Sequence, residues 1–499
     1  LKKESDMRRY VAIAATAAIA AVLFLTGCAG DKTPDDRVIV VGSGLAGHAA
    51  AYAALDNGAE VLWLEKKEEL GGSSVLATGT FSAAGTDLQE KKGIKDSVEL
   101  FMKDVNRIGN HEANQELLEL YATKADDVWE WFRDNGLEPS KRSPFIDPVH
   151  SAYSVPRTYT PAKNSAFEYC RVMRKKMEQH GKNLTIKTST LVTELIEEDG
   201  AVVGVRVQGQ EGKREYRGDA VVLATGGFGS NFEMIAERMP KYSELRTVTM
   251  PHAKGDGILM AEEVGAQLVH MDYMVPYFGA IAQKNTKRAG FGSLTSGFAE
   301  RWKGDIWLDL NGNRFVNEDG SDEDIREEAL NRVPEQTAII IFDQAAVKRN
   351  GGAVPIRDFD SWLEKDFGVK KRDSIEALAT AFDIPVDSVL KTVEQVNRLA
   401  ERNMEGKFGK KEHFPVSTPP FYGIKSYGTI FMTQGGVKTN TSMEVISQDN
   451  DVIPGLYAAG EVQGTAQWGG HGYSGGSGNA PAIIFGFEAG RHAAAATGK

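Results

Sequence analysis

Residues 37 to 65 constrain the fold of this chain more than any other stretch. Arg37-Val-Ile-Val-Val41 is a β-branched run without alternation, the pattern of a parallel strand buried on both faces. Gly42-Ser43-Gly44-Leu45-Ala46-Gly47 follows at once, an Ala-rich helical stretch continues through Leu55, and Asn57-Gly58 stops it. A second strand, Glu60-Val-Leu-Trp-Leu64, ends in Glu65. Each part has a physical reason. Gly42 permits a tight turn, Gly44 lets the backbone approach a pyrophosphate, and Gly47 allows helix and strand to pack closely. The helix N-terminus, from Leu45 and Ala46, offers N–H groups and positive dipole to phosphates. Glu65 suits the two hydroxyls of an unphosphorylated ribose. A lone glycine triplet says little, but one set between strand and helix and closed by an acid predicts a dinucleotide-binding α/β domain.

Composition narrows the partners. The chain has 499 residues, enough for two or more structural domains, and its 41% hydrophobic and 25% charged content is ordinary for a globular protein. A net charge of −11 argues against nucleic acid or anionic lipid, both of which call for a basic surface. Lys2, Lys3, Arg8 and Arg9 precede an apolar run from Val11 to Leu25, and Leu25-Thr26-Gly27-Cys28 follows. That order reads as a secretory signal, with an apolar stretch shorter than the ~20 residues of a spanning helix. Its end resembles the lipobox of bacterial lipoproteins. The resemblance implies a signal peptide over 1–27, lipidation at Cys28, a linker over 28–36, and a lipid anchor on the extracytoplasmic face of the cell membrane; an uncleaved anchor helix is the alternative. Cys170 is the only other cysteine, so no internal disulfide, c-type haem or iron–sulfur cluster can be built, and no metal site is read. Redox chemistry therefore requires a cofactor held without cysteine ligands.

FAD and NAD both fit the fingerprint, and later motifs separate them. Glu65-Lys66 and, a few residues on, Gly71-Gly72-Ser73, with Ser74 next, resemble the E-K-x-x-x-x-G-G-[NST] continuation of FAD-binding flavoproteins. Val221-Val-Leu-Ala-Thr225-Gly226-Gly227 resembles their A-T-G-G strand-to-turn motif. Ile453 to Val462 resembles the strand that brings a carboxylate, here Glu461, beside the ribityl chain. Together they imply FAD, and no second nicotinamide-binding fingerprint is found.

At this point the chain resembles the flavoprotein family of fumarate reductase and succinate dehydrogenase, in particular its soluble flavocytochrome c branch, without the haem domain. Further matches are Lys254-Gly255-Asp256-Gly257, Asn313-Arg314-Phe-Val-Asn317-Glu318 and Met432-Thr433-Gln434-Gly435-Gly436. The family implies a Rossmann-like FAD-binding α/β domain split in sequence, over 37–270 and 428–499, with an α+β capping domain inserted over 271–427. It also implies hydride transfer from flavin N5 to a polarised C=C bond and protonation by a cap arginine, Arg314 here. Glu300 and Arg301 lie where the family keeps its supporting acid and second arginine, though adjacent rather than spaced as E-x-x-R. The plainer reading of Arg314 is a structural ion pair with Glu318. The acidic run from Glu318 to Glu328 reads as a solvated face of the cap.

Three positions leave the fumarate pattern. Met432, Tyr473 and Tyr277 stand where dicarboxylate members place a histidine, an arginine and a second histidine. The loss of charged donors points away from fumarate and toward an enoate, aryl-acrylate or enone. Tyr473-Ser-Gly475-Gly476-Ser477-Gly478 also resembles the Y-P-G-x-G segment of ketosteroid dehydrogenases, in which a tyrosine hydroxyl and a backbone N–H, of Gly476 or Ser477 here, hold a carbonyl oxygen. Tyr473 alternatively stacks on the flavin or packs under the cap. The favoured expectation is an extracytoplasmic FAD-dependent reductase of a small unsaturated organic compound, fed by a haem protein, a flavinylated protein or free flavin. A ketosteroid-like desaturase is the runner-up, and a non-catalytic flavin-binding lipoprotein a third.

Overall fold

The computed structural model describes residues 37–147, 151–210, 212–282, 286–291, 302–319, 329–354 and 359–498. The expected signal, the linker and Cys28 lie outside the described residues, as do Glu300 and Arg301. Among the described residues no helix is long and apolar enough to cross a membrane.

The first layer is built as the fingerprint dictates. Arg37–Val41 is the inner strand of a six-stranded sheet ordered Glu444–Ile446, Val452–Ala458, Ala220–Leu223, Arg37–Val41, Glu60–Leu64, Leu184–Lys187. All neighbours are parallel except the Glu444–Ile446 edge. Val38 and Val40 point into one hydrophobic cluster, Ile39 and Val41 into another on the opposite face, which explains why the run does not alternate with polar residues. The helix Leu45–Asp56 lies on the first of these faces and ends at Asn57, as its sequence predicts. The C-terminal helix Asn479–Ala496 packs against it, and a Cβ on Gly490 would come within 2.2 Å of the Ala50 carbonyl, so the two helices touch backbone to backbone. A three-stranded meander, Leu191–Glu198, Ala201–Gly209 and Gly212–Arg217, extends from this layer.

The second layer is a seven-stranded, mostly antiparallel sheet organised by the 13-residue strand Phe421–Thr433. It pairs with Met274–Ala282, Thr337–Asp343, Val369–Arg372 and, in parallel, Arg246–Thr247. The helix Val386–Arg402 covers one face with Val389, Val393 and Val396; Pro385 precedes it in extended conformation and Asn403 closes it in the left-handed region. Phe421–Thr433 runs without a break through residue 428. It thereby carries Phe431 and Met432, still paired with Met274–Ala282, to the edge of the first layer, where Thr433 bonds Glu461, and that junction holds the site.

Candidate active site

A cleft of about 510 Å³ follows the carboxyl ends of the parallel strands, where ligands of open α/β sheets sit. Its floor is made by backbone. Gly42 has φ +100, and a Cβ there would lie 2.4 Å from the Ala224 carbonyl; one on Gly47 would lie 2.0 Å from the Gly42 carbonyl. Only glycines let the turn, the helix and the neighbouring strand close up this far. Trp63 Nε1 donates to the Gly42 carbonyl at 2.8 Å and fixes the turn from below.

Glu65 ends the second strand with both carboxylate oxygens directed at the loops. Oε2 accepts from the Ser43 amide (3.0 Å) and hydroxyl (2.5 Å), and Oε1 accepts from the Lys67 amide (2.8 Å). Ser74 Oγ accepts from the Leu45 amide at 3.0 Å, joining the second glycine loop to the helix N-terminus. Lys66 Nζ donates to Asp256 Oδ2 (2.5 Å) and to the His252 carbonyl (2.6 Å). Apart from Lys67, these residues line the cleft together with Gly44, Ala46, Gly72, Ser73, Thr225, Gly226 and Glu461, while Gly47 packs behind Gly42. Two further groups fit a bound polar ligand. Thr225 Oγ1 and Thr465 Oγ1 are buried on residues of the wall and find no hydrogen-bond partner among the described residues. A glycine cradle, a helix N-terminus, a fixed acid at the second strand and waiting hydroxyls together suit FAD.

Glu461 is half-buried, and its Oε1 accepts from the Thr433 amide at 3.1 Å and hydroxyl at 3.2 Å. Burial pushes its carboxyl above the ordinary glutamate range, because the Thr433 and Gly227 amides only partly offset the loss of water. Gly476 and Ser477, expected to touch the ligand, do not line the cleft. Gly476 packs against Ser82, and Ser477 Oγ turns back onto its own loop to donate to the Ser474 carbonyl at 2.8 Å. Gly478 and Asn479 reach the cleft instead.

The other end is aromatic. Tyr277 and Tyr473 both line it, joined through Phe431, whose ring centre is 6.0 Å from that of Tyr277 and 5.6 Å from that of Tyr473. Met432 completes this wall. Arg142, Phe145, Asp147 and Asn164 share the cleft, and sequence reasoning missed all four. They carry no motif; Arg142, Phe145 and Asp147 reach the site because 142–147 folds back beside Thr158 and Gly475, and Asn164 comes from the turn after Pro161. His471 stacks on Tyr273, with ring centres 4.3 Å apart, rather than lining the cleft.

Arg314 bridges Leu308 at the end of the Ile306–Leu308 strand of the second sheet and is not part of the cleft wall. Its Nε and Nη2 donate to Glu318 Oε1 (2.7 Å) and Oε2 (2.6 Å), the bidentate pair that the plainer sequence reading expected. Lys410 Nζ reaches Glu318 Oε2 at 3.3 Å and Asp319 at 3.2 Å. Burial opposes ionisation of Glu318, but the Arg314 hydrogen bonds and the Lys410 charge outweigh it and hold the carboxyl below its ordinary range. The solvated-face reading of the acidic run is therefore corrected at its first residue. Glu318 is 2% exposed, because two cations are there to meet it. Asp305 is buried nearby, accepts from Trp307 Nε1 at 2.9 Å, and is pushed up to about 7 by burial, against the pull of Lys410.

Comparison with known proteins agrees with this geometry. The FAD binding domain family matches residues 37–480. A probable fumarate reductase of Shewanella frigidimarina is 32% identical over 466 residues, spanning 92% of this chain and 74% of that protein. A urocanate reductase of Eggerthella lenta is 30% identical over 444 residues, spanning 87% of this chain and 70% of that protein. Among solved structures, the open conformation of a flavocytochrome c3 fumarate reductase matches with a TM-score of 0.79 and 30% identity, over 96% of this chain and 81% of that one.

Proposed function

Because the chain belongs to the fumarate reductase and succinate dehydrogenase flavoprotein family, FAD-dependent oxidoreductases that act on CH–CH bonds, we propose that it reduces the C=C bond of an α,β-unsaturated organic compound other than fumarate. The observation that carries this reading is the wall formed by Tyr277, Phe431, Met432 and Tyr473. A dicarboxylate needs charged donors at both ends, and this wall offers hydroxyls, a thioether and ring faces. Bound FAD in its reduced form supplies hydride to the polarised double bond.

The chain's own residues do the rest. A tyrosine hydroxyl at the substrate carbonyl or carboxyl oxygen takes up the charge that develops there as the double bond is reduced, and it does so best in a site closed to water. Arg314 is the proton donor of this reading. Its pair with Glu318 uses Nε and Nη2 and leaves Nη1 for the substrate. Glu318 fixes the guanidinium plane, and closure of the cap onto the cleft brings Arg314 to the substrate and excludes water. Electrons arrive from a separate donor, a haem protein, a flavinylated protein or free flavin. The basic, apolar, then small-residue order up to Cys28 supports a place on the extracytoplasmic face of a bacterial membrane, held by lipid on Cys28.

The test is anaerobic reoxidation of the chemically reduced FAD holoenzyme by fumarate, cinnamates, other enoates and 3-ketosteroids, followed at the flavin band. Rapid reoxidation by one conjugated compound, with fumarate slower, is the expected result. Arg314→Ala should lower that rate by about 100-fold or more while the flavin spectrum persists, in line with loss of a general acid. Tyr473 at the cleft also favours a second reading, a desaturating dehydrogenase. Bleaching of the oxidised enzyme by a saturated ketone, with no unsaturated oxidant found, would establish that direction instead.

A further inference from the structure

The aromatic end of the cleft holds a cation that the proposed chemistry leaves unused. Residues 142–147 run beside the loop that carries Tyr473. The Phe145 amide donates to the Thr158 carbonyl at 2.9 Å, and the Thr158 amide returns to the Phe145 carbonyl at 3.0 Å. Thr158 Oγ1 in turn donates to the Gly475 carbonyl at 3.4 Å. A Cβ built on Gly475 would meet Asp147 at 2.5 Å. Arg142, at the start of this stretch, is thereby placed on the wall that Tyr473 also lines.

The Arg142 guanidinium carbon lies 4.1 Å from the centre of the Phe145 ring. Such a contact holds the plane of the guanidinium while using none of its N–H donors. Among the described residues those donors have no acceptor; Lys92 contacts only the Arg142 main-chain carbonyl. The other charged groups of the wall are engaged. Lys66 is paired with Asp256, Glu65 and Glu461 accept amides and hydroxyls, and Asp147 is buried beside Gly475. Arg142 is exposed, so its side chain reaches a ligand without first losing a protein partner.

We infer that Arg142 anchors the carboxylate of a planar conjugated enoic acid, bidentately, while the unsaturated body of that acid lies against Tyr277, Phe431 and Tyr473. This rests on the reductase reading and adds to it the residue that selects acid over neutral substrate. The sequence removes the charged clamps expected at 277, 432 and 473, and the fold supplies a cation from 142. A forked guanidinium fits two carboxylate oxygens in one plane, and conjugation keeps the acid coplanar with the double bond. A neutral ester or ketone would gain nothing from it.

The decisive comparison uses the FAD holoenzyme, wild type against Arg142→Gln and Arg142→Lys, with cinnamate and methyl cinnamate as paired probes. Reoxidation of the reduced enzyme should show an acid-over-ester preference that falls by about tenfold or more in Arg142→Gln, chiefly through the half-saturating concentration, as expected for a lost charge-assisted pair. Arg142→Lys should restore part of it. A preference that is absent in the wild type, or unchanged by Arg142→Gln, overturns the assignment. A separate arm titrates cinnamate into the oxidised enzyme and follows the flavin absorbance shift. If neither these probes nor any other compound of the panel is turned over, the reductase reading fails, yet a cinnamate Kd raised about tenfold by Arg142→Gln still supports the anchor. An unchanged Kd, or no binding to the wild type, refutes it. Because Arg142 is exposed, an unchanged melting temperature and flavin content confirm that each variant is folded.

Discussion

Glu461 beside the FAD cleft is half-buried, Glu318 beside the second sheet is buried, and their carboxyls move in opposite directions. Glu461 meets amides and a hydroxyl, from Thr433 and Gly227, and burial wins: the carboxyl rises. Glu318 meets two cations, Arg314 and Lys410, and the cations win: the carboxyl falls. Burial alone therefore does not set the state of an acid; the charge of its partners does. The cleft keeps a group that takes up a proton easily, whereas the cap keeps a permanent anion that locks an arginine.

Removing the cap anion should break this contrast most severely. Glu318→Gln leaves Arg314 and Lys410 buried without their common counter-charge, and loss of one partner of a buried pair costs about 3–5 kcal/mol. A lower melting temperature, with proteolytic cuts concentrated in 302–319 and 359–420 while flavin stays bound, is the expected outcome. Equal loss of flavin and cap would show that the two layers do not separate their stabilities.

Asp305 sharpens the comparison through pH. Its folded carboxyl, raised to about 7, keeps a proton that the unfolded chain has already released above the usual aspartate range. Between about pH 4 and 7 the folded state therefore binds more protons, and stability falls as pH rises through that window. Each tenfold difference in proton affinity between the folded and unfolded carboxyl is worth about 1.4 kcal/mol, so the loss amounts to a few kcal/mol by about pH 8. Asp305→Asn cannot ionise, so urea midpoints at about pH 5 and about pH 8 should differ less in the variant than in the wild type. An unchanged difference would mean that Lys410 keeps Asp305 ionised throughout.

The smallest effect is expected at Glu461. Replacing it with glutamine keeps the acceptor for Thr433 and removes no ion pair, so the stability change should stay within about 1 kcal/mol. The flavin spectrum and its reduction potential are the sensitive readouts. A destabilisation as large as that of Glu318→Gln would show that Glu461 is held as an anion after all, and the contrast between the layers would disappear.

The FAD-binding layer was legible because its chemistry is local. Gly42, Gly44, Gly47 and Glu65 lie within one strand–turn–helix–strand unit; the backbone path itself requires Gly42 and Gly47, and the Glu65 carboxylate ties the second strand to Ser43 of the turn. Tyr277 and Tyr473 were also found from sequence, by their departure from a pattern, and the fold brings both to one wall. Gly476 and Ser477 do not line the cleft, since the loop folds onto Ser82 and Ser474 before Gly478 and Asn479 reach it. The cap was less legible. The acid at 318 looked like the start of a solvated run because Lys410, the cation that buries it, lies 92 residues further along the chain.

The sequence by itself determined the parallel sheet, the glycine turn, the choice of FAD and the neutral residues at 277, 432 and 473, because each depends on backbone geometry or on the identity of a single side chain. Tertiary structure alone decided that Arg142 and Phe145 share a cleft with Tyr473, that Lys410 joins the Arg314–Glu318 pair, and that Glu461 and Glu318 differ in their hold on a proton. Those outcomes depend on which charges meet in space and how much water remains between them. A linear pattern carries neither distance nor burial, and both enter every ion pair and every shifted carboxyl.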